Sequence, residues 1–180
     1  MRVSVYFVAM AALCLAAGPA RRIGLGLAFA ALHELGHLAA MAALRIRPAA
    51  VCLTAAGMRI ERPPGLHVSF PREILVALSG PAVSLALALL FRALPLPADF
   101  YWLNLGFGLF NLLPVRQPDG GRALYFLLCT RLSERAAALA VKIASLLCLF
   151  LAAGGAALLS LRHGFSLSLA IAVLYLAAGC

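Results

Sequence analysis

The chain has 180 residues, of which 64% are hydrophobic and only 12% are charged. Soluble globular domains are about 45–50% apolar and about 25% charged, so this composition excludes an ordinary soluble domain and indicates a polytopic membrane protein. The net charge of +9 does not indicate nucleic-acid binding, because the basic residues stand singly or in pairs between apolar runs. We therefore expect the lipid bilayer, and no nucleic acid, as a partner.

Six apolar segments follow one another along the chain, and they predict an all-α polytopic fold of about six transmembrane helices. The segments cover residues 3–18, 22–44, 73–94, 100–129 (interrupted), 136–160 and 164–179. A membrane span needs about 20 residues, which the second, third and fifth segments supply outright. The first segment also has the features of a signal peptide, and we favour an uncleaved helix because the rest of the chain is already polytopic.

Positive charge at the ends of these segments predicts their orientation. With the N-terminus inside, eight arginines fall on the inner side and four on the outer side. The inner ones are Arg2, Arg45, Arg47, Arg59, Arg62, Arg72, Arg131 and Arg135, and the outer ones are Arg21, Arg22, Arg92 and Arg162. Because positive charge favours the cytoplasmic side, we predict a multi-pass protein of the cell membrane with both termini inside.

The longest connection between apolar segments is the loop 45–72. Residues 58–61 alternate apolar and charged side chains, which is the period of a strand, and Pro63-Pro64-Gly65 ends the alternation. We expect a short β-hairpin at the membrane surface. An irregular loop fits the same residues.

Two of the six acidic residues lie at membrane depth. Glu34 stands midway along the second apolar segment and Asp119 lies within the interrupted fourth one, whereas the other four fall in loops or at segment ends. An ionisable side chain inside a membrane costs about 3 kcal/mol on insertion scales, so it normally has a partner and a function. Glu34 and Asp119 are therefore candidate functional residues.

Glu34 belongs to an HELGH motif at residues 33–37. On a helix, His33 and His37 project from one face a turn apart, so both imidazoles can bind one metal ion. Zn²⁺ suits two neutral imidazoles and an oxygen ligand, with a position left for water or substrate. Glu34 is placed to deprotonate that water as a general base. A chance match to the motif is the alternative, but it gives no reason for two histidines at mid-span.

A catalytic zinc ion needs a third protein ligand, for which Asp119 is the candidate. The segment 111–122 contains two prolines and two glycines. Broken backbone at membrane depth is tolerated only where protein or a water-filled cavity surrounds it. An N-cap role for Asp119 is compatible with metal binding, and we favour a ligand over a cap alone. Arg116 and Arg122 flank Asp119 and either orient it or extend to the membrane interface.

Three separated motifs together resemble the site-2 protease family of intramembrane zinc metalloproteases. They are HELGH at 33–37, Gly80-Pro81 in the next segment, and NLLP at 111–114 followed by DGGR at 119–122. The resemblance covers about residues 22–130, and the RQPDGGR sequence is most similar to the sporulation-type branch. It implies one metalloprotease domain over 1–180, with a three-helix catalytic core at about 22–130. We expect neither a PDZ module nor a CBS pair, and hence no regulation by bound ATP.

The resemblance also assigns roles to individual residues. It implies that zinc is bound by His33, His37 and Asp119, with Glu34 as general base. It further implies that Asn111 positions the substrate and that the stretch 51–62 receives an extended substrate segment. Ser84 stands where the family commonly has Asn, so the resemblance assigns no role to this position and leaves the metal site unaffected.

The implied function is hydrolysis of a peptide bond in or near a transmembrane segment of a membrane-associated protein, such as a sigma-factor precursor. Cleavage would occur nearer the cytoplasmic face. The sequence leaves open whether the protein binds a membrane inhibitor or forms a homo-oligomer. One alternative is a non-catalytic membrane zinc protein or a degenerate protease that acts as a scaffold, although a pure ligand site does not need Glu34. Another is a membrane protease with a downstream glutamate ligand, but Glu73 and Glu134 lie at segment ends without a matching motif.

Overall fold

The structure, a computed structural model, describes residues 2–3, 20–46, 50–54, 57–61, 68–164 and 167–177. Helices dominate these residues, as the all-α prediction requires. The six helices are α1 Ala20–Ala43, α2 Phe70–Ala93, α3 Ala98–Asn111, α4 Asp119–Cys129, α5 Glu134–His163 and α6 Leu167–Ala177. The predicted first segment, 3–18, lies outside the described residues except for its first position, so its fate as a helix or a signal peptide stays a prediction.

Among the described residues, three helices are long and apolar enough to cross a membrane, which indicates a multi-pass membrane protein. These candidate spans are Ile23–Ala43, Phe70–Ala93 and Glu134–Arg162, and they coincide with the second, third and fifth predicted segments. The fourth segment, predicted as interrupted, consists of two shorter helices, α3 of 14 residues and α4 of 11 residues. The described part of the sixth is α6, also of 11 residues. Six full-length spans are therefore more than the described residues provide.

Short strands occupy the loop between α1 and α2. β2 (Ala50–Thr54) and β3 (Gly57–Glu61) pair antiparallel, and β1 (Arg2–Val3) pairs parallel with β2. The strand order is β1-β2-β3. The alternating residues 58–61 fall within β3. The location of this sheet at a membrane surface stays a prediction.

Helix α2 is the centre of the helical framework, because it packs against α1, α3 and α4. Close packing of membrane helices depends on small residues at the interface, which let the backbones approach. The buried residues of α2 include Ala77, Gly80, Ser84 and Ala88. Helix α5 packs against α4, and α6 packs against α5, so the inner helices are enclosed on that side.

Two apolar layers enclose the middle of α1. Towards its N-terminus, the ring of Phe29 packs at an angle against the rings of Phe91 and Phe100, with each pair of ring centroids 5.6 Å apart. Towards its C-terminus, Met41 packs with Ile46 and Val76 in a buried cluster. Positions 29, 33, 37 and 41 are successive turns of the helix, so the residues at 33 and 37 lie between these layers, shielded from both ends.

Candidate metal centre

The three predicted metal ligands converge on one point. His33 and His37 lie a turn apart on α1 and are buried, with 2% and 6% of their surface exposed. Asp119, the first residue of α4, reaches them from another helix: its Oδ2 lies 3.0 Å from His33 Nε2 and 3.1 Å from His37 Nε2. The two Nε2 atoms are 3.2 Å apart. This trio is a group that can hold a metal ion.

The spacing of these atoms fits a single zinc ion. Ligand atoms at about 2.0–2.1 Å from zinc in a tetrahedral arrangement lie about 3.3 Å from one another, close to the 3.0–3.2 Å separations observed. Imidazole nitrogen and carboxylate oxygen are both zinc donors, and three protein ligands leave the fourth position for water or substrate. Among the residues that the structure describes, the donor set therefore matches the pattern of an open zinc site.

The outer ring nitrogens fix the orientation of both imidazoles. His37 Nδ1 donates to the carbonyl of Val76 at 2.7 Å. A carbonyl can only accept, so the neutral ring carries its proton on Nδ1 and presents a lone pair at Nε2. His33 Nδ1 lies 3.0 Å from Ser84 Oγ, which accepts from it in the same tautomer. Metal-binding histidines usually donate their second N–H in this way.

This arrangement requires positive charge at the point of convergence. In the neutral tautomers, two nitrogen lone pairs and a carboxylate oxygen face one another across 3.0–3.2 Å. Acceptor atoms so close together repel, and little water is present at a buried site to screen them. A divalent cation removes the repulsion and satisfies all three atoms at once, so the residues present fit the metal that the motif predicts.

Gly80 of α2 forms the wall beside the imidazoles. A Cβ atom built at this position would overlap Nε2 of both His33 and His37. Even a methyl group would therefore enter the space that the metal ligands share. The glycine of the Gly80-Pro81 motif is explained by this close approach of α2 to the two rings.

Buried backbone positions Asp119. A Cβ at Gly120 would overlap the carbonyl of Leu112, and one at Gly121 would overlap that of Val115. The break between α3 and α4 is thus packed against protein, as broken backbone at membrane depth requires. The N-cap of α4 is Pro118, and Asp119 is the first helical residue. The N-cap role considered for Asp119 is therefore wrong, because Asp119 lies one residue inside the helix.

Comparisons with known proteins agree with this geometry at the level of the fold. No protein-family model and no curated protein matches the sequence. Among solved structures, the chain is similar to the site-2 protease from Methanocaldococcus jannaschii, with a TM-score of 0.66 and 22% sequence identity. The match covers 98% of this chain and 87% of that one. The fold is that of a site-2 protease. The likeness does not resolve a branch of the family.

Within this fold, Glu34 lies on α1 beside the first metal ligand. Its side chain is half-buried. Its carboxylate interacts electrostatically with His37 and with Tyr175 of α6. The ring of Tyr175 contacts that of Phe110 on α3, with the centroids 5.7 Å apart. The short C-terminal helix therefore approaches the same region as the two carboxylates. The role of Glu34 as general base stays a prediction.

Asn111 is the last residue of α3 and lies one turn after Phe107, whose ring contacts His33. Its Nδ2 donates to the carbonyl of Phe107 at 2.9 Å, a bond within its own helix. The ring of Phe107 packs edge-on against His33, with the centroids 4.9 Å apart. Asn111 is thus near the site in the fold, and its role in positioning the substrate stays a prediction. The side chains of the stretch 51–62 lie outside the described residues.

Sequence reasoning missed the groups that orient the histidines. Ser84 was noted only as a departure from the family pattern, and the carbonyl of Val76 has no signature of its own. A signal was present in the spacing, however. Residues 76, 80, 84 and 88 of α2 recur every four positions and are all buried, which marks one helix face of small residues. The middle positions of that face contact both imidazoles.

Proposed function

We propose that the protein is an intramembrane zinc metalloprotease that hydrolyses a peptide bond in or near a transmembrane segment of a membrane-associated protein. The observation that carries the proposal is the convergence of His33, His37 and Asp119 on one point, between two candidate spans. The HELGH motif also supplies the carboxylate of Glu34, which adjoins His33 on the same helix. The site-2 protease fold supports the same chemistry.

In this proposal each side chain has one task. A zinc ion held by His33, His37 and Asp119 would polarise the substrate carbonyl and make a bound water more acidic. Glu34 accepts a proton from the attacking water and donates it to the amine of the leaving segment. Ser84 and the carbonyl of Val76 hold the two imidazoles in the tautomer that the metal requires.

The substrate must be unwound before it is cut, because a helix hides its carbonyl groups in hydrogen bonds. The strand order β1-β2-β3 leaves β3 as an edge strand of the described sheet. An extended segment can add to such an edge by backbone hydrogen bonds. We propose this edge, within the stretch 51–62, as the place where the unwound substrate is held, with Asn111 assisting nearer the metal.

The finer assignment follows from the sequence. The RQPDGGR segment supports the sporulation-type branch, for which a sigma-factor precursor is the corresponding class of substrate. The excess of arginine on one side supports a cell-membrane location with cleavage nearer the cytoplasmic face. A membrane inhibitor and self-association are compatible with this proposal.

The decisive experiment combines metal analysis with a cleavage assay. The purified chain is reconstituted with candidate single-span substrates and compared with the variant Glu34→Gln. We expect both proteins to retain zinc and the variant to lose cleavage by about 10²–10⁴-fold, the usual contribution of a general base. Leu35→Ala is the matched control, since Leu35 adjoins Glu34 and is 55% exposed.

Each result has a definite meaning. Full activity in the Glu34→Gln protein would contradict the base assignment. A native chain that binds zinc and cleaves none of the candidate substrates would favour the scaffold alternative. A native chain without zinc after preparation in zinc-containing buffer would refute the metalloprotease proposal as a whole.

A further inference from the structure

A second recess, separate from the metal centre, lies between α4 and α5. This groove has a volume of about 550 Å³. Three of its lining residues are basic, Arg116, Arg122 and Lys142, and no acidic residue lines it in the described part of the chain. The remaining walls are largely apolar, with Tyr125, Phe126 and Leu139 among them. None of the three metal ligands lines it.

The floor of the groove is a tightly packed junction. The backbone N–H of Arg116 donates to Ser145 Oγ of α5 at 3.1 Å, and that hydroxyl donates to the carbonyl of Val141. On the other side, Gly121 of α4 sits against the carbonyl of Val115. Side chains at 116, 122 and 142 therefore project from closely packed backbone, which keeps their points of attachment around one groove.

The position of Lys142 indicates what the groove faces. It is the only lysine in the chain, and it lies on a candidate span. Its neighbours along α5 are exposed leucines and isoleucines: Leu139, Ile143 and Leu146. A helix face of this kind contacts lipid. A cation on it is costly unless it finds an anionic partner or reaches the interface.

The depth of Lys142 matches the level of lipid phosphates. Helix α5 has 30 residues, which makes it about 45 Å long, comparable with the 40–45 Å or so of a bilayer with its headgroups. Lys142 is eight residues beyond Glu134, which places its backbone about 12 Å from the start of the helix. An extended lysine side chain reaches back from there to the headgroup level.

We propose that this groove binds one anionic phospholipid. Its phosphate would lie among Arg116, Arg122 and Lys142, and an acyl chain would run along Phe126 and Leu139. Charge complementarity and the apolar walls together favour a lipid, because a phosphate bound to hydrocarbon matches both parts of the groove. Arg122 lies one turn from Asp119 on α4, so the lipid would brace the helix that supplies the third metal ligand.

The test measures lipid binding to the full chain in detergent by native mass spectrometry. The probes are short-chain phosphatidylglycerol, the matching phosphatidylcholine and inorganic phosphate. The double variant Arg122→Gln/Lys142→Gln removes two of the three charges. Arg131→Gln is the control, since Arg131 is exposed just beyond the C-terminal end of α4 and does not line the groove. Circular dichroism establishes that each variant is folded.

We expect one phosphatidylglycerol to bind in preference to phosphatidylcholine. The double variant should lower the affinity for phosphatidylglycerol about 25-fold, or about fivefold for each charge removed. The Arg131→Gln variant should keep the native affinity. Arg122→Lys/Lys142→Arg keeps the charges and should retain binding, which separates charge from packing.

Several results would overturn the proposal. They are equal binding of the two lipids, or an unchanged affinity in the folded double variant. Competition by inorganic phosphate at the same concentration would show that the acyl chain contributes nothing. Displacement of the lipid by an acidic peptide that binds more tightly would assign the groove to a protein segment instead.

Discussion

Helices α2 and α5 are equally apolar and are both long enough to cross a membrane, yet they serve the molecule differently. In the most apolar stretch of α2, 33% of the residues are buried inside the protein. In the corresponding stretch of α5, the share is 17%. Helix α2 turns a face of small residues towards the histidines, while α5 presents large side chains such as Leu147 and Phe150 to the outside. Hydropathy identifies both as spans, and the placement of small residues distinguishes the one that builds a site.

The largest effect that tests this comparison is expected at glycine. Gly80→Ala places a methyl group against both Nε2 atoms, so we expect bound zinc to fall well below one ion per chain and cleavage to fall by at least about a hundredfold. Gly154→Ala on α5 meets nothing within 4 Å and should change neither. Zinc analysis and the cleavage assay on folded protein measure the difference. Equal behaviour of the two variants would remove the basis for distinguishing the helices.

A smaller effect is expected at two buried serines. Ser84→Ala removes the partner of His33 Nδ1 and should weaken zinc binding about 10–100-fold, as loss of an outer-shell partner does. Ser145→Ala on α5 instead leaves the N–H of Arg116 without its acceptor and should lower stability by about 1–3 kcal/mol. Chelator competition and thermal melting separate the two outcomes. A lowered zinc affinity in the Ser145 variant would show that the junction, rather than the imidazole contact, controls the metal.

The smallest effect is expected where the two helices should be alike. Leu89 of α2 and Leu151 of α5 are 72% and 71% exposed, so their substitution by alanine removes few contacts within the protein. We expect each variant to change stability by less than about 0.5 kcal/mol and to leave cleavage unchanged. A large loss at either position, seen as a lowered melting temperature, would reveal an interface with another protein or with a second copy of the chain.

The three candidate metal ligands could be predicted because their signals are local or rest on simple energetics. His33 and His37 are a turn apart on one helix, so their convergence needs no knowledge of the fold. Asp119 is an acidic residue at membrane depth beside broken backbone, and both features are visible in the letters alone. The structure places all three together, as the sequence indicated.

The remaining features depend on contacts between distant parts of the chain. Ser84 is 51 residues from His33, and no local pattern states which residue of α2 will meet which imidazole. Arg116 and Arg122 were expected either to orient Asp119 or to reach the interface. The structure adds that both lie beside Lys142 in one groove, an association that requires the packing of α5. The break in the fourth segment was visible in the letters, because its prolines and glycines lie between α3 and α4. Hydropathy did not show that neither part reaches the length of a span.

The separation of the ligands along the chain has a mechanical consequence. Asp119 is 82 residues from His37 and 86 from His33, so an ion bound among them would tie α1 to α4 much as a covalent cross-link ties two distant segments. Such a tie restricts the unfolded chain more strongly the longer the loop it closes. Binding of the ion would therefore stabilise the assembled inner helices, and a folded chain without metal should be less stable as well as inactive.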